Sequence, residues 1–368
     1  MTQLAERVAD PAPPTPVGGP VAGAPRPALG AGARVRGFLV PTGQVLLISV
    51  TVGLLASVLT FALGAVSGAN PAAAVLGETA TPEDIARMDR QFGLDRPVVV
   101  QYFSWLGNAL TGDLGQSWFT TIPVADSIAA ALPVDLGIAA LALVMAIIMG
   151  VGGGVAAALS NGGLVDRAIT VVCSVVATLP PFVIGIALII VFSVNLDWLP
   201  AGGYVPFQQD PVEWLRFTIL PAFALSIDTA ASLTRQLRTS LVGALRENYA
   251  VGAEMRGYSR RRVLFGHVLR NAAGPGLAVI GLAIPLILGG AVITEKLFNI
   301  PGIAQLSLQA AEQGDIPVIL GTLMVTVLVV LVASMVVNVV QTALNPVARR
   351  QAATGSGPRP TRLKGATS

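Results

Sequence analysis

Residues 133–158 read PVDLGIAALALVMAIIMGVGGGVAAA, a stretch whose one charged residue is Asp135. A helix rises about 1.5 Å per residue and the hydrocarbon core of a bilayer is about 30 Å thick, so roughly 20 apolar residues cross it. This run is longer than that, and it has no polar face to turn toward water. Five further stretches meet the same requirement, near 44–66, 164–194, 216–240, 270–294 and 317–344. The expected fold class is therefore all-α: a polytopic membrane protein with six transmembrane helices, a cytoplasmic helical hook and a small extracytoplasmic insertion.

Composition agrees. Of 368 residues, 53% are hydrophobic and 12% charged, where soluble domains carry about 25% charged residues. The net charge of +3 says little, but its distribution says a good deal. Eighteen Lys and Arg fall in the tails and alternate loops on one side of the six spans, and five (Arg87, Arg90, Arg96, Arg216 and Lys296) on the other. The excess of basic residues on cytoplasmic loops then puts both termini in the cytoplasm of a multi-pass protein of the cell (inner, cytoplasmic) membrane.

Several chemistries are excluded by count. One cysteine, Cys173, allows no intramolecular disulfide, and one histidine, His267, allows neither a histidine triad nor a multi-histidine metal site. The two lysines, Lys296 and Lys364, precede Leu297 and Gly365, so neither belongs to a phosphate-binding Gly-Lys-Ser/Thr loop. No catalytic residue, metal ligand, bound cofactor or nucleic-acid partner is expected.

The chain divides into a Pro/Ala/Gly-rich cytoplasmic tail (1–37), expected to be disordered, a membrane domain (38–345) and a basic disordered cytoplasmic tail (346–368). The membrane domain contains an extracytoplasmic insertion at 67–132. There Thr81-Pro82-Glu83-Asp84 reads as a helix start and Gly93 as its stop. On the other side, at 241–270, Leu241, Leu245, Tyr249 and Ala253 recur every four residues as an apolar stripe. Gly257 is placed to end that helix in a left-handed turn, and Ser259 to cap the next. Two short helices meeting at an angle suit the docking of a partner; an ordinary basic loop is the plainer reading.

Asp228 stands near the middle of the fourth span, where a carboxylate is costly. Either it lines a polar pathway and attracts a peptide's amino terminus, or it is buried and satisfied by Thr229 or Ser232. Asp135 is expected at the wet outer interface, His267 in polar packing, and Cys173 as a small buried residue. Gly150 and Gly154 are spaced for close helix approach. Pro275, Gly281, Pro285, Gly289 and Gly290 interrupt the fifth span, as hinges or as static kinks.

A family resemblance goes further. The run Glu247-x-Tyr249-x-x-x-Ala253-x-x-Arg256-Gly257, followed by Arg262-Val263-Leu264, His267 and Leu269-Arg270-Asn271-Ala272, resembles the coupling loop of ABC-importer permeases of the dipeptide/oligopeptide (and nickel) transport family, B-type subunit. Gly93-Leu94-Asp95-Arg96-Pro97, Gly112-Asp113-Leu114-Gly115, Trp198-Leu199-Pro200-Ala201-Gly202-Gly203 and Glu295-x-x-Phe298-x-x-Pro301-Gly302 are similar to that family's outer segments. The chain departs from it at Glu254-Met255-Arg256, where Arg-Ala-Lys is usual, and in its long first tail.

The resemblance implies a permease subunit of a binding-protein-dependent importer, forming half of the pathway for di- and oligopeptides. Its implied partners are a homologous second permease, cytoplasmic ATP-binding subunits that hold ATP and Mg, an extracytoplasmic substrate-binding protein and the lipid bilayer. Glu247, Tyr249, Ala253, Arg256 and Gly257 would couple to the ATPase. Asp228 is the pathway candidate, and Glu295, Phe298, Pro301 and Gly302 are the outer loop or gate. The chain itself would catalyse nothing. The competing class is a secondary, ion-coupled transporter using Asp228 as its ion site.

Overall fold

The computed structural model describes residues 31–66, 70–289 and 291–344, and among them every regular element is helical. Helix α1 (Ala31–Val66) leads into the outer insertion, which consists of α2 (Pro71–Leu76), α3 (Pro82–Phe92) and α4 (Val98–Leu110). Helix α5 (Val124–Ser160) returns, and α6 (Leu164–Val176) and α7 (Pro181–Leu188) follow, the latter running on as a π-helix over Ile189–Asn195. Next come α8 (Pro211–Leu245), α9 (Asn248–Met255) and α10 (Arg260–Val263). A π-helical turn, Leu264–Val268, joins α10 to α11 (Leu269–Gly289). Short helices α12 (Ala291–Leu297) and α13 (Ile303–Gln313) precede α14 (Ile316–Leu344).

Among the described residues, four helices carry a stretch long and apolar enough to cross a bilayer: Leu46–Val66, Val124–Ser160, Pro211–Leu245 and Ile316–Val337. The other two of the six expected stretches take a different form. The third stretch is bent by 104° between α6 and α7. Its cause is Pro180-Pro181, since neither residue has an amide to continue the helical ladder. In the fifth, the apolar run is only Ala272–Ile287 and contains Pro275 and Pro285. Helix α1 begins at Ala31, within the 1–37 tail segment. The remainder of that tail, and the 346–368 tail, lie outside the described residues.

Helices α5 and α8 form the spine. Where they meet, α5 presents Gly150, Gly153 and Gly154 to Leu233, Thr234 and Leu237 of α8; a Cβ at Gly150 would lie 2.7 Å from Leu233 Cδ2. Thr234 Oγ1 donates to the Gly150 carbonyl across the same contact (3.4 Å). Without a driving force from water inside lipid, small residues let the backbones close and recover dispersion energy. Toward the outer end the core is Val134, Ile138, Leu220, Leu225, Ile287 and Phe298. Toward the hook it is Leu237, Leu241, Ala253, Val263, Leu264 and Val268.

Helix α1 is peripheral, packed mainly on α14, and leaves Leu47, Leu55, Leu59 and Leu63 exposed. The insertion is tied down by specific bonds. Thr81 caps α3, accepting the Asp84 amide (3.2 Å), and Gly93 closes it at φ +73°. Tyr102 of α4 shares a hydrogen bond with Ser57 of α1 (2.9 Å), and Ser117 Oγ donates to Asp315 at the start of α14 (2.5 Å).

Candidate functional site

The hook is built where α8 runs out. Its last amide contacts shorten at Arg246, which donates to the Gly243 carbonyl (3.1 Å), and the chain turns into α9. Ala250 and Ala253 are fully buried against Leu241, Val263, Leu264 and Val268. The rest of α9 is open: Val251 (43% exposed) and Met255 (84%) stand away from the bundle, and Tyr249 (41%) lies on the flank. Gly257 then adopts φ +85°, its amide donating to Glu254 (2.8 Å), while the Tyr258 amide returns to Ala253 (3.3 Å). The left-handed turn is one a Cβ disfavours, which is why glycine stands there. Ser259 Oγ accepts the Arg262 amide (3.4 Å), so the second helix starts where expected.

Two expectations change here. The stripe Leu241–Leu245–Tyr249–Ala253 is not one surface, because the helix breaks between Leu245 and Asn248. Ala253 accordingly faces the chain's own interior: it fastens the hook to the bundle and offers no docking surface. Glu247, Tyr249, Arg256 and Gly257 are exposed as expected. Met255, the departure from the family pattern, is the most exposed apolar side chain of the hook. His267 falls in the π-helical turn, and its side chain lies outside the described residues.

The hook is braced from the side by Arg238 of α8, which grips Asp166 of α6 through Nε and through Nη2 (2.7 Å to Oδ2). The same carboxylate accepts the Gly162 amide (2.7 Å). A two-pronged guanidinium–carboxylate pair fixes direction as well as distance. The α5–α6 turn is thereby locked to the hook end of α8. Nothing in the local sequence announced that pairing, since its partners are 72 residues apart.

At the outer end, Glu295, Phe298 and Gly302 lie inside the protein. Glu295 is 3% exposed and Phe298 1%; Gly185 and Gly202 pack against Phe298, whose carbonyl accepts the Gly203 amide (2.8 Å). Pro301 alone of the four loop candidates is exposed. Asp135, expected at a wet interface, instead accepts the Ile303 amide (2.9 Å), while Glu295 accepts that of Gln305 (2.8 Å). Two carboxylates thus satisfy orphan amides at the start of α13, where a helix's partial positive charge favours them. They converge on Gly302 so closely that a Cβ there would sit 2.2 Å from Asp135 Oδ1 and 2.4 Å from Glu295 Oε2. Glu295 to Gly302 is therefore a fastened corner that turns Glu295, Phe298 and Ile300 inward.

Asp228 has neither of the hydroxyl partners weighed for it. Ser232 Oγ instead accepts from Arg235 Nη2 (3.3 Å), and Thr229 is buried. Asp228 is the one exposed residue between 217 and 238 on α8. Cys173 is buried, and its carbonyl accepts Arg235 Nη1 (3.3 Å). Among the described residues, no cluster of His, Cys, Asp and Glu is suited to hold a metal ion.

Comparison with known proteins adds to this geometry. A family model described as the binding-protein-dependent transport system inner membrane component matches residues 142–350, and a companion model for the N-terminal part of such components matches 38–139. A putative peptide transport system permease of Brucella abortus is 35% identical over 81% of this chain and 95% of its own length. An oligopeptide transport system permease of Bacillus subtilis is 31% identical, covering 82% of this chain and 96% of that protein. A glutathione transport system permease of Escherichia coli is 34% identical, covering 80% and 93%.

Proposed function

The chain belongs to the inner-membrane components of binding-protein-dependent transport systems, and from that premise we propose that it imports peptides, forming half of their pathway and receiving ATP-driven motion through the α9 hook. The peptide cargo rests on relatives whose names specify peptide, oligopeptide and glutathione transport. The observation that carries the coupling role is the two-sidedness of α9. Ala250 and Ala253 bury one side in the bundle, while Val251 and Met255, one turn apart, leave an apolar patch away from it, with Tyr249 exposed on the flank and Glu247, Glu254 and Arg256 exposed around them. An aromatic and a flexible apolar anchor inside a polar rim is the composition of a docking surface.

In this reading cytoplasmic ATPase subunits, holding ATP and Mg, take the hook in a groove, and the chain itself binds no cofactor and catalyses nothing. Motion of the hook passes into α8 and α11 through the shared core around Leu241, Leu264 and Val268, and through Arg238–Asp166 into α6. A homologous second permease completes the pathway. An extracytoplasmic binding protein delivers cargo to the outer end, where the fastened Glu295–Gly302 corner gives it a rigid floor. Both termini lie in the cytoplasm, in keeping with the arginine distribution. An ion-coupled carrier using Asp228 is not favoured, since it leaves the hook without a purpose.

The test is purification of the tagged chain in mild detergent, with mass spectrometry of what accompanies it. A second permease and P-loop ATPases are the expected companions. A folded chain that came alone would overturn the reading.

A further inference from the structure

On the pathway reading above, we propose that Asp228, Ser232 and Arg235 of α8 form a subsite for short zwitterionic peptides, with Asp228 holding the protonated amino terminus. Three separate features converge on it. The first is position: Asp228 lies at the midpoint of a spanning helix, exposed, with no hydrogen bond or ion pair among the described residues. A carboxylate at that depth is costly to leave against lipid, so its face meets water or a polar group.

The second is the seam below it. Asp228, Ser232, Arg235 and Thr239 stand at intervals of four, three and four residues, which is one face of a helix. All four are polar and at least partly exposed, whereas Ala224 and Pro221, on the same face above Asp228, are buried. The seam is therefore open toward the hook end and closed toward the outer end, with Asp228 at its blind top.

The third is the break between α6 and α7. It falls between Cys173, whose carbonyl takes Arg235, and Gly185, which packs under Leu297 and Phe298. That places it alongside the same stretch of α8. Thr178, Leu179 and Pro180 are exposed there. Irregular backbone at membrane depth persists only where protein covers it or a water-filled cavity reaches it. Both walls of the seam are thus surfaces that lipid cannot cover.

Charge and length choose the occupant. Arg235 has two neutral acceptors and no acidic partner among the described residues. It lies seven residues below Asp228, about 10 Å along a helix, and an extended peptide of three residues spans about the same. A tripeptide with its ammonium at Asp228 and its carboxylate toward Arg235 satisfies both charges. A lone metal cation or an N-blocked peptide does not.

The experiment uses the full chain assembled with its partner subunits in inside-out vesicles, in a Cys173→Ala background. Ser232→Cys should react with a membrane-impermeant methanethiosulfonate, while Leu55→Cys, on the exposed side of α1, should not. Trialanine should slow labelling of Ser232→Cys about tenfold, the size of one charge-assisted hydrogen bond, and N-acetyl-trialanine should not. Adding Asp228→Asn should abolish the protection, and Asp228→Glu should keep it. An unreactive Ser232→Cys would mean that the second permease covers the seam. Equal protection by the two peptides, or protection that survives Asp228→Asn, would mean that the amino terminus is not read there. Each overturns the subsite. Wild-type ATP-dependent uptake of trialanine into right-side-out vesicles separates the two levels: if uptake is present while protection fails, only the subsite falls, and if uptake itself is absent, the peptide-import reading falls with it.

Discussion

Two glycines show how single residues carry opposite kinds of constraint. Gly302 is a packing glycine: the space a Cβ would need is taken by Asp135 and Glu295. Gly302→Ala should destabilise the protein by about 1–3 kcal/mol through overpacking, read as a lowered midpoint of thermal unfolding in detergent. Asp135→Ala in the same chain should recover part of the loss, whereas equal midpoints for wild type and Gly302→Ala would remove the steric account. Gly257 is a conformational glycine, at φ +85° with nothing within 4 Å of a Cβ. Asp tolerates that backbone region better than most residues, so Gly257→Asp should leave the fold standing while placing a charge on the hook surface. The expected phenotype is ATP hydrolysis that continues while peptide uptake in reconstituted vesicles is lost. Uptake at the wild-type rate would show that Gly257 serves only the turn.

At the scale of elements, the spine depends on α5 and α8 touching at glycine. Gly150→Leu forces a side chain into the volume of Leu233, and the two helices must part. Thermal stability should fall, while Gly152→Leu, at a position with open space on that helix, should change it little. The insertion is held to α14 by Asp315, whose carboxyl is pushed above the ordinary carboxylate value by burial, against the opposing hydrogen bonds of Ser117 and the Trp118 amide. A raised folded-state pKa means the protonated form is the better buried one. The contribution is therefore full below the unfolded value and is lost as pH rises through the folded one. Docking of the insertion, followed by proteolysis within 71–110, should tighten as pH falls into the carboxylate range. Asp315→Asn should flatten that dependence; an unchanged slope would assign it to another group.

Over the whole molecule, the arginine bias and the helix order make a topological prediction. A protease site placed near residue 354 should be cut only in inside-out vesicles, and a cysteine at Glu78 should be labelled only from the outer side. The reverse pattern would invert the hook and remove it from the ATPases. The arrangement also explains why α1 is so exposed over Leu46–Val66 while α8 is largely buried. A peripheral helix needs only lipid around it, whereas the spine must position the hook at one end and the Phe298 corner at the other.

Features that depend only on neighbouring residues were legible in the chain. Apolar length fixed the four clear spans, Thr81 with Pro82 and Gly93 fixed α3, and Gly257 with Ser259 fixed the turn of the hook, because each is a property of neighbouring residues. The chain also carried the family resemblance through ordered motifs. Which side of each helix is used depends instead on the closed bundle. Ala253 turned inward because α9 begins after a break, and a break of two residues rotates the helical phase of everything that follows. Glu295 and Asp135 met across 160 residues, and Asp166 found Arg238 across 72; pairings at such separations leave no local signal. Asp228 was visible as an anomaly from the start, yet its exposure was set by the neighbours that α5, α7 and α11 provide, and these exist only once the bundle has closed.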